Sequence, residues 1–110
     1  MATELPPRPV TIGKTGRVKS IDGKRRSFTV LDEIVVQQRV VDRGSSKLIY
    51  FQKIQFEQSN RMEYRFAYYM LGVKPGAMGR WVFGQYAPMI PATELKKLLA
   101  VARVRAWDGF

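Results

Sequence analysis

Two apolar and aromatic stretches, residues 47–57 (KLIYFQKIQFE) and 61–71 (RMEYRFAYYML), flank the short breaker Gln58-Ser59-Asn60 and constrain the fold more than any other feature. Their β-branched and aromatic content reads as two antiparallel strands of one hairpin. Because successive side chains point to opposite faces, the length of the turn decides which residues share a face. A three-residue turn pairs Glu57 with Arg61 and places even positions beside even ones. One face then collects Leu48, Tyr50, Ile54, Phe56, Met62, Tyr64, Phe66, Tyr68 and Met70, nearly all apolar. The other carries Phe51, Lys53, Gln55, Glu57, Arg61, Glu63, Arg65 and Tyr69. A turn of two or four residues would instead set Arg65 beside Ile54 and Phe56. Segregation of polar from apolar side chains selects the three-residue register.

The rest of the chain is read around this hairpin. Residues 1–12 hold three of the six prolines and little periodicity, which predicts an extended or disordered lead-in, with a single domain over 13–110. Asp22-Gly23, between short extended segments, signals a second hairpin. Residues 27–41 carry both a helical stripe and a β-branched run; the latter favours a strand over 34–41, joined to the next by a loop at 42–46. Residues 72–79 contain three glycines and a proline and form a connection; they lack the Lys-Ser or Lys-Thr of a phosphate-cradling Walker loop. A further aromatic strand is expected at 80–87, with Gly84 as a bulge or point of close approach. Leu95, Leu98, Leu99, Ala102 and Ala106 recur at helical spacing and predict a helix over 92–106, with Asp108-Gly109 as its stop. The fold class is therefore α+β: an antiparallel meander of four to five strands, packed on one face by a carboxyl-terminal helix.

Composition narrows the chemistry. With no cysteine and no histidine, the chain has no disulfide framework, no thiolate or imidazole metal site and no Ser-His triad. No cofactor or metal is expected. No apolar run reaches the length of a membrane span, so the default is an intracellular, cytoplasmic protein that does not enter a membrane. Nineteen Lys and Arg stand against nine Asp and Glu, a formal charge of +10 that suits a partner made of phosphates.

The expected function is nucleic-acid binding, to DNA or RNA, without intrinsic catalysis. On the polar sheet face Lys53, Arg61 and Arg65 would contact phosphates while Phe51 and Tyr69 stack on bases. Gln37 and Arg39 extend that face if 34–41 is the neighbouring strand. Lys24, Arg25 and Arg26, with Lys14, Arg17 and Lys19 upstream, form the densest basic cluster and add a phosphate grip. Two other functions compete: an assembly module docking on an acidic protein, and a metal-dependent nuclease using Glu57 and Glu63. Strand edges also make a homodimer through the sheet edge an expectation.

Overall fold

A computed structural model describes residues 5–19, 21–40, 45–72, 74–84 and 86–110, with the backbone alone at Arg39, Val40 and Ser45. Five strands, β1 (Thr15–Lys19), β2 (Arg25–Val40), β3 (Ser45–Phe56), β4 (Met62–Leu71) and β5 (Trp81–Phe83), precede the helix α1 (Ala92–Val104). Every strand pairs antiparallel with its neighbour in chain order, a meander curved into a half-barrel. The α+β architecture expected from the sequence is the one observed.

The segment that could read as helix or strand is a strand as far as Val40, and Val41 lies outside the described residues. Its register against β3 breaks between Val30 and Asp32, so Leu31 forms a bulge and the faces exchange there. Before the bulge Phe28 and Val30 share a face with Ile54 and Phe56; after it Ile34 and Val36 share the opposite face with Phe51 and Ile49. Ser45 and Ser46, expected in a loop, begin β3, while residues 42–44 lie outside the described residues. Lys19 pairs with Arg25 around the Asp22-Gly23 turn, where Gly23 takes the positive φ of 81° that glycine adopts without penalty.

The β3–β4 register differs from expectation by one residue. Phe56 and Arg61 close the hairpin, with Phe56 N–H donating to the Arg61 carbonyl at 3.0 Å and Asn60 N–H donating to the Phe56 carbonyl at 3.1 Å. The turn is therefore the four residues 57–60, with Asn60 at φ 53°, a left-handed conformation that asparagine tolerates. Phe51 now faces Phe66, and Gln52 faces Arg65, so odd positions of β3 share a face with even positions of β4. The three-residue register assumed that one face meets water. Here both faces are covered.

On one face lies α1. Ile34, Ile49 and Phe51 pack with Leu98, Ala102 and Trp107, and Tyr64 and Phe66 of β4 join them. The helix ends in a Schellman motif: Trp107 N–H donates to the Ala102 carbonyl and Ala106 N–H to the Arg103 carbonyl, with Ala106 at φ 55°. Trp107 is buried beside Ala102 and donates from Nε1 to Asp32 Oδ2 at 3.0 Å, so its docking onto the bulged strand stops the helix before Asp108-Gly109 is reached.

The opposite face carries two apolar clusters, Phe28, Val30, Ile54 and Phe56 in one, Leu48, Tyr50 and Ala67 in the other. Between them Glu33, Gln52 and Arg65 form one cross-strand row. Arg65 Nε donates to Gln52 Oε1 at 2.9 Å, Gln52 Nε2 donates to Thr11 Oγ1 at 2.8 Å, and the Thr11 hydroxyl donates to Glu33 Oε1 at 2.5 Å. Thr11 N–H reaches the same carboxylate oxygen at 2.7 Å. The row is thus satisfied through a residue of the amino-terminal segment, which buried polar groups require. That segment lies against this face. Trp81 Nε1 donates to the Pro6 carbonyl at 3.0 Å and the Tyr50 hydroxyl to the Pro9 carbonyl at 2.5 Å.

The strand expected at 80–87 is shorter, ending at Phe83. Gly84 is a point of close approach: a Cβ there would stand 2.0 Å from the Tyr68 ring, and Gly84 N–H donates to the Tyr68 carbonyl at 2.8 Å. No described helix is long and apolar enough to cross a membrane.

Candidate nucleic-acid interface

The register change redistributes the residues expected to bind. Phe51 is 2% exposed beneath α1, stacked on Phe66 at 4.5 Å, and offers no ring to a base. Tyr69 belongs to the face opposite the helix, tilted against Tyr50 at 5.2 Å and edge-on to Phe83 at 5.4 Å. Arg65 sits on that same face, over the Phe28 ring at 4.7 Å, and burial pulls its guanidinium below the ordinary arginine value. Arg61 pairs with Glu63 at 2.9 Å and lies over Phe56 at 5.3 Å. Arg26 pairs with Asp22 at 3.2 Å. Gln37, opposite Leu48, belongs to the face away from the helix, and the Arg39 side chain lies outside the described residues.

Lys53, expected on the face away from the helix, lies with Arg25 on the helix side, and the fold brings two other cations there. Pairing Arg17 with Ser27 and Lys19 with Arg25 places Arg17, Lys19 and Arg25 on one face, beyond the end that α1 covers. All three are exposed, and none makes an ion pair among the described residues. The hydroxyls of Thr15, Ser27 and Thr29 and the amide of Gln55 lie on the same face. Lys53 stands nearer the helix, opposite Asp32, about 13 Å along the strand from the level of Arg17 at 3.3 Å per residue. The Asp32 carboxylate is already held by Arg105 at 3.0 Å and by Trp107.

Lys19 directly opposite Arg25 is unfavourable in isolation, since like charges across a strand pair repel. The hairpin turns at 21–24 and 57–60 lie at the same end of the sheet. That end carries Arg17, Lys19, Lys24, Arg25, Arg26 and Arg61 against Asp22, Glu57 and Glu63, a cationic pole. The helix side exposes neither ring of the sequence-predicted pair, Phe51 being buried and Tyr69 on the far face, so its chemistry is that of a phosphate grip rather than a stacking platform.

The chain matches no family model, no curated protein and no solved structure.

Arg17 and Lys19 stood in the basic cluster but not on the face expected to bind. The signal was present: in TGRVK the cations occupy alternate positions, and the Asp22-Gly23 turn sets them against Arg25. The pair expected for a nuclease is not assembled. Glu63 is engaged by Arg61, Glu57 lies in the turn, and no three acidic side chains converge on a metal position among the described residues.

On the opposite face, burial first and Glu33 second push the Tyr50 hydroxyl well above the ordinary tyrosine range, and Tyr69 is raised by burial as well. Both favour the protonated folded state. Their stabilising contribution is complete below about pH 10, where unfolded tyrosine titrates, and is lost as pH rises beyond it. The unfolding free energy from urea denaturation at pH 8 to 12 should fall above pH 10, by up to about 1.4 kcal/mol per pH unit for Tyr50. In Tyr50→Phe the decline should be shallower; an unchanged profile would contradict the burial of this hydroxyl.

Proposed function

We propose that this protein binds nucleic acid through its sugar-phosphate backbone and carries no catalytic chemistry of its own. The observation that supports this reading is the juxtaposition of Arg17, Lys19 and Arg25 on one exposed sheet face, none of them ion-paired among the described residues. A phosphate strand relieves their mutual repulsion, and Lys53 and Lys24 extend the grip toward the helix and the turn. With Phe51 buried and Tyr69 on the far face, affinity rests on charge and is largely blind to sequence. The cations of β1 also discourage edge-to-edge pairing, so phosphate binding and solubility favour the same side chains.

Filter binding to single- and double-stranded DNA and RNA at 50 and 200 mM salt tests the reading. Three phosphate contacts on a duplex correspond to a salt slope near −2.7, so the fourfold rise in salt should weaken binding about 40-fold. Binding to none of the four, or binding insensitive to salt, would refute it. The second reading, an assembly module, draws on the exposed Val82, Phe83, Tyr86 and Met89 around β5. It predicts association with protein that survives the salt rise.

A further inference from the structure

The amino-terminal segment has a chemistry of its own. Proline fixes φ near −65° at Pro6, Pro7 and Pro9, and the residue before each proline is biased to extended or polyproline II geometry, which covers Leu5, Pro6 and Arg8. A polyproline II helix repeats every three residues. The burial of this segment has that period: Pro6 and Pro9 are partly buried, while Pro7 and Arg8 between them are exposed. The hydrogen bonds have it too. Two aromatic side chains three residues apart along the segment donate to its carbonyls, the Trp81 indole to Pro6 and the Tyr50 hydroxyl to Pro9.

The floor beneath is aromatic. Tyr50, Tyr69 and Trp81 belong to one cluster, with Phe83 edge-on to Tyr69. Prolyl carbonyls accept well and have no competing N–H at their own residue, so an indole or phenol projecting from an aromatic wall suits them. Beyond Pro9, Thr11 anchors the segment on the Glu33–Gln52–Arg65 row, and Gly13 at φ 84° starts the turn back into β1.

We infer that the sheet face opposite the helix is a receptor for polyproline II segments of the pattern Pro-x-x-Pro, and that residues 5–9 are its built-in, displaceable occupant. The partner is a Pro-x-x-Pro segment of another protein, read by the Trp81 indole and the Tyr50 hydroxyl at carbonyls three residues apart. Because the occupant is tethered, it acts at an effective concentration on the order of millimolar, and an external segment must overcome that competition. This site is separate from the cationic face and does not depend on nucleic-acid binding.

The test uses the full chain carrying Pro6→Gly and Pro9→Gly, which weakens the tethered occupant, titrated with the synthetic peptide LPPRPVTI. Fluorescence reports occupancy through Trp81, whose indole donates to the Pro6 carbonyl, while Trp107 lies in the helix-side cluster on the opposite face and contributes a constant background. The variant should bind the peptide saturably, with a midpoint at least tenfold below any response of the wild type. The peptide LGPRGVTI should give no saturable signal. Adding Tyr50→Phe should weaken peptide binding about threefold to tenfold, the loss of one hydrogen bond. If the double variant loses the helical circular dichroism signal, Pro9→Gly alone carries the same titration. A helix-retaining variant that gives no saturable response, or that binds LGPRGVTI equally well, overturns the inference.

Discussion

Phe51→Ala is expected to lower folding stability by about 3 to 5 kcal/mol, the range for deleting a fully buried aromatic side chain. Its ring is stacked on Phe66 and lies 5.2 Å from Trp107, 5.6 Å from Tyr64 and 5.6 Å from Phe110, so truncation opens a cavity where sheet, helix and carboxyl terminus meet. The surrounding groups belong to three different elements and cannot all collapse into it. Urea denaturation followed by the helix signal gives the value directly. The three-residue hairpin register predicts the reverse pattern, a nearly neutral effect on stability with loss of binding. A cost below about 1 kcal/mol would therefore reject the observed register as well as the core built on it.

Arg25→Glu should move stability and binding in opposite directions. Opposite Lys19, the substitution replaces repulsion by a cross-strand ion pair, and the fold should gain about 0.2 to 1 kcal/mol. Nucleic-acid affinity should fall about tenfold or more at 50 mM salt, because one phosphate contact is removed and an anion is set beside the remaining cations. A solvated face with no ligand predicts the gain in stability alone. Loss of both would mean that Arg25 supports the fold through contacts other than those described.

The elements were legible because each rests on a local pattern. The helix followed from the spacing of Leu95, Leu98, Leu99 and Ala102, and the β1–β2 hairpin from Asp22-Gly23. The register of β3 with β4 was not, because it depends on what covers the second face. Polar residues at Gln52 and Arg65 looked like markers of a wet surface, yet Gln52 is 1% exposed and satisfied by Thr11 and Arg65. The decisive residue, Thr11, lies more than forty positions away in a stretch with no periodicity of its own. A proline-rich segment reads locally as a lead-in, and only the aromatic wall that receives it shows that it closes the sheet. The candidate site was half legible for the same reason. Arg25 and Lys53, expected in a basic cluster and on the polar hairpin face respectively, share one face, whereas Phe51, Tyr69 and Arg65 were placed by a register that the far side of the sheet decides.

The helix also carries exposed cations, Lys96, Lys97 and Arg103, so overall charge and the proposed face can be separated. The most direct measurement is the slope of log affinity against log salt for duplex DNA in two variants that each remove three positive charges. Arg17→Ala/Lys19→Ala/Arg25→Ala should flatten the wild-type slope by about 2.7, at roughly 0.9 per lost phosphate contact. Lys96→Ala/Lys97→Ala/Arg103→Ala should leave the slope within about 0.5 of wild type, less than one such contact. Equal slopes in the two variants, or a larger change in the helix variant, would contradict the assignment of the phosphate grip to the exposed face of β1 and β2.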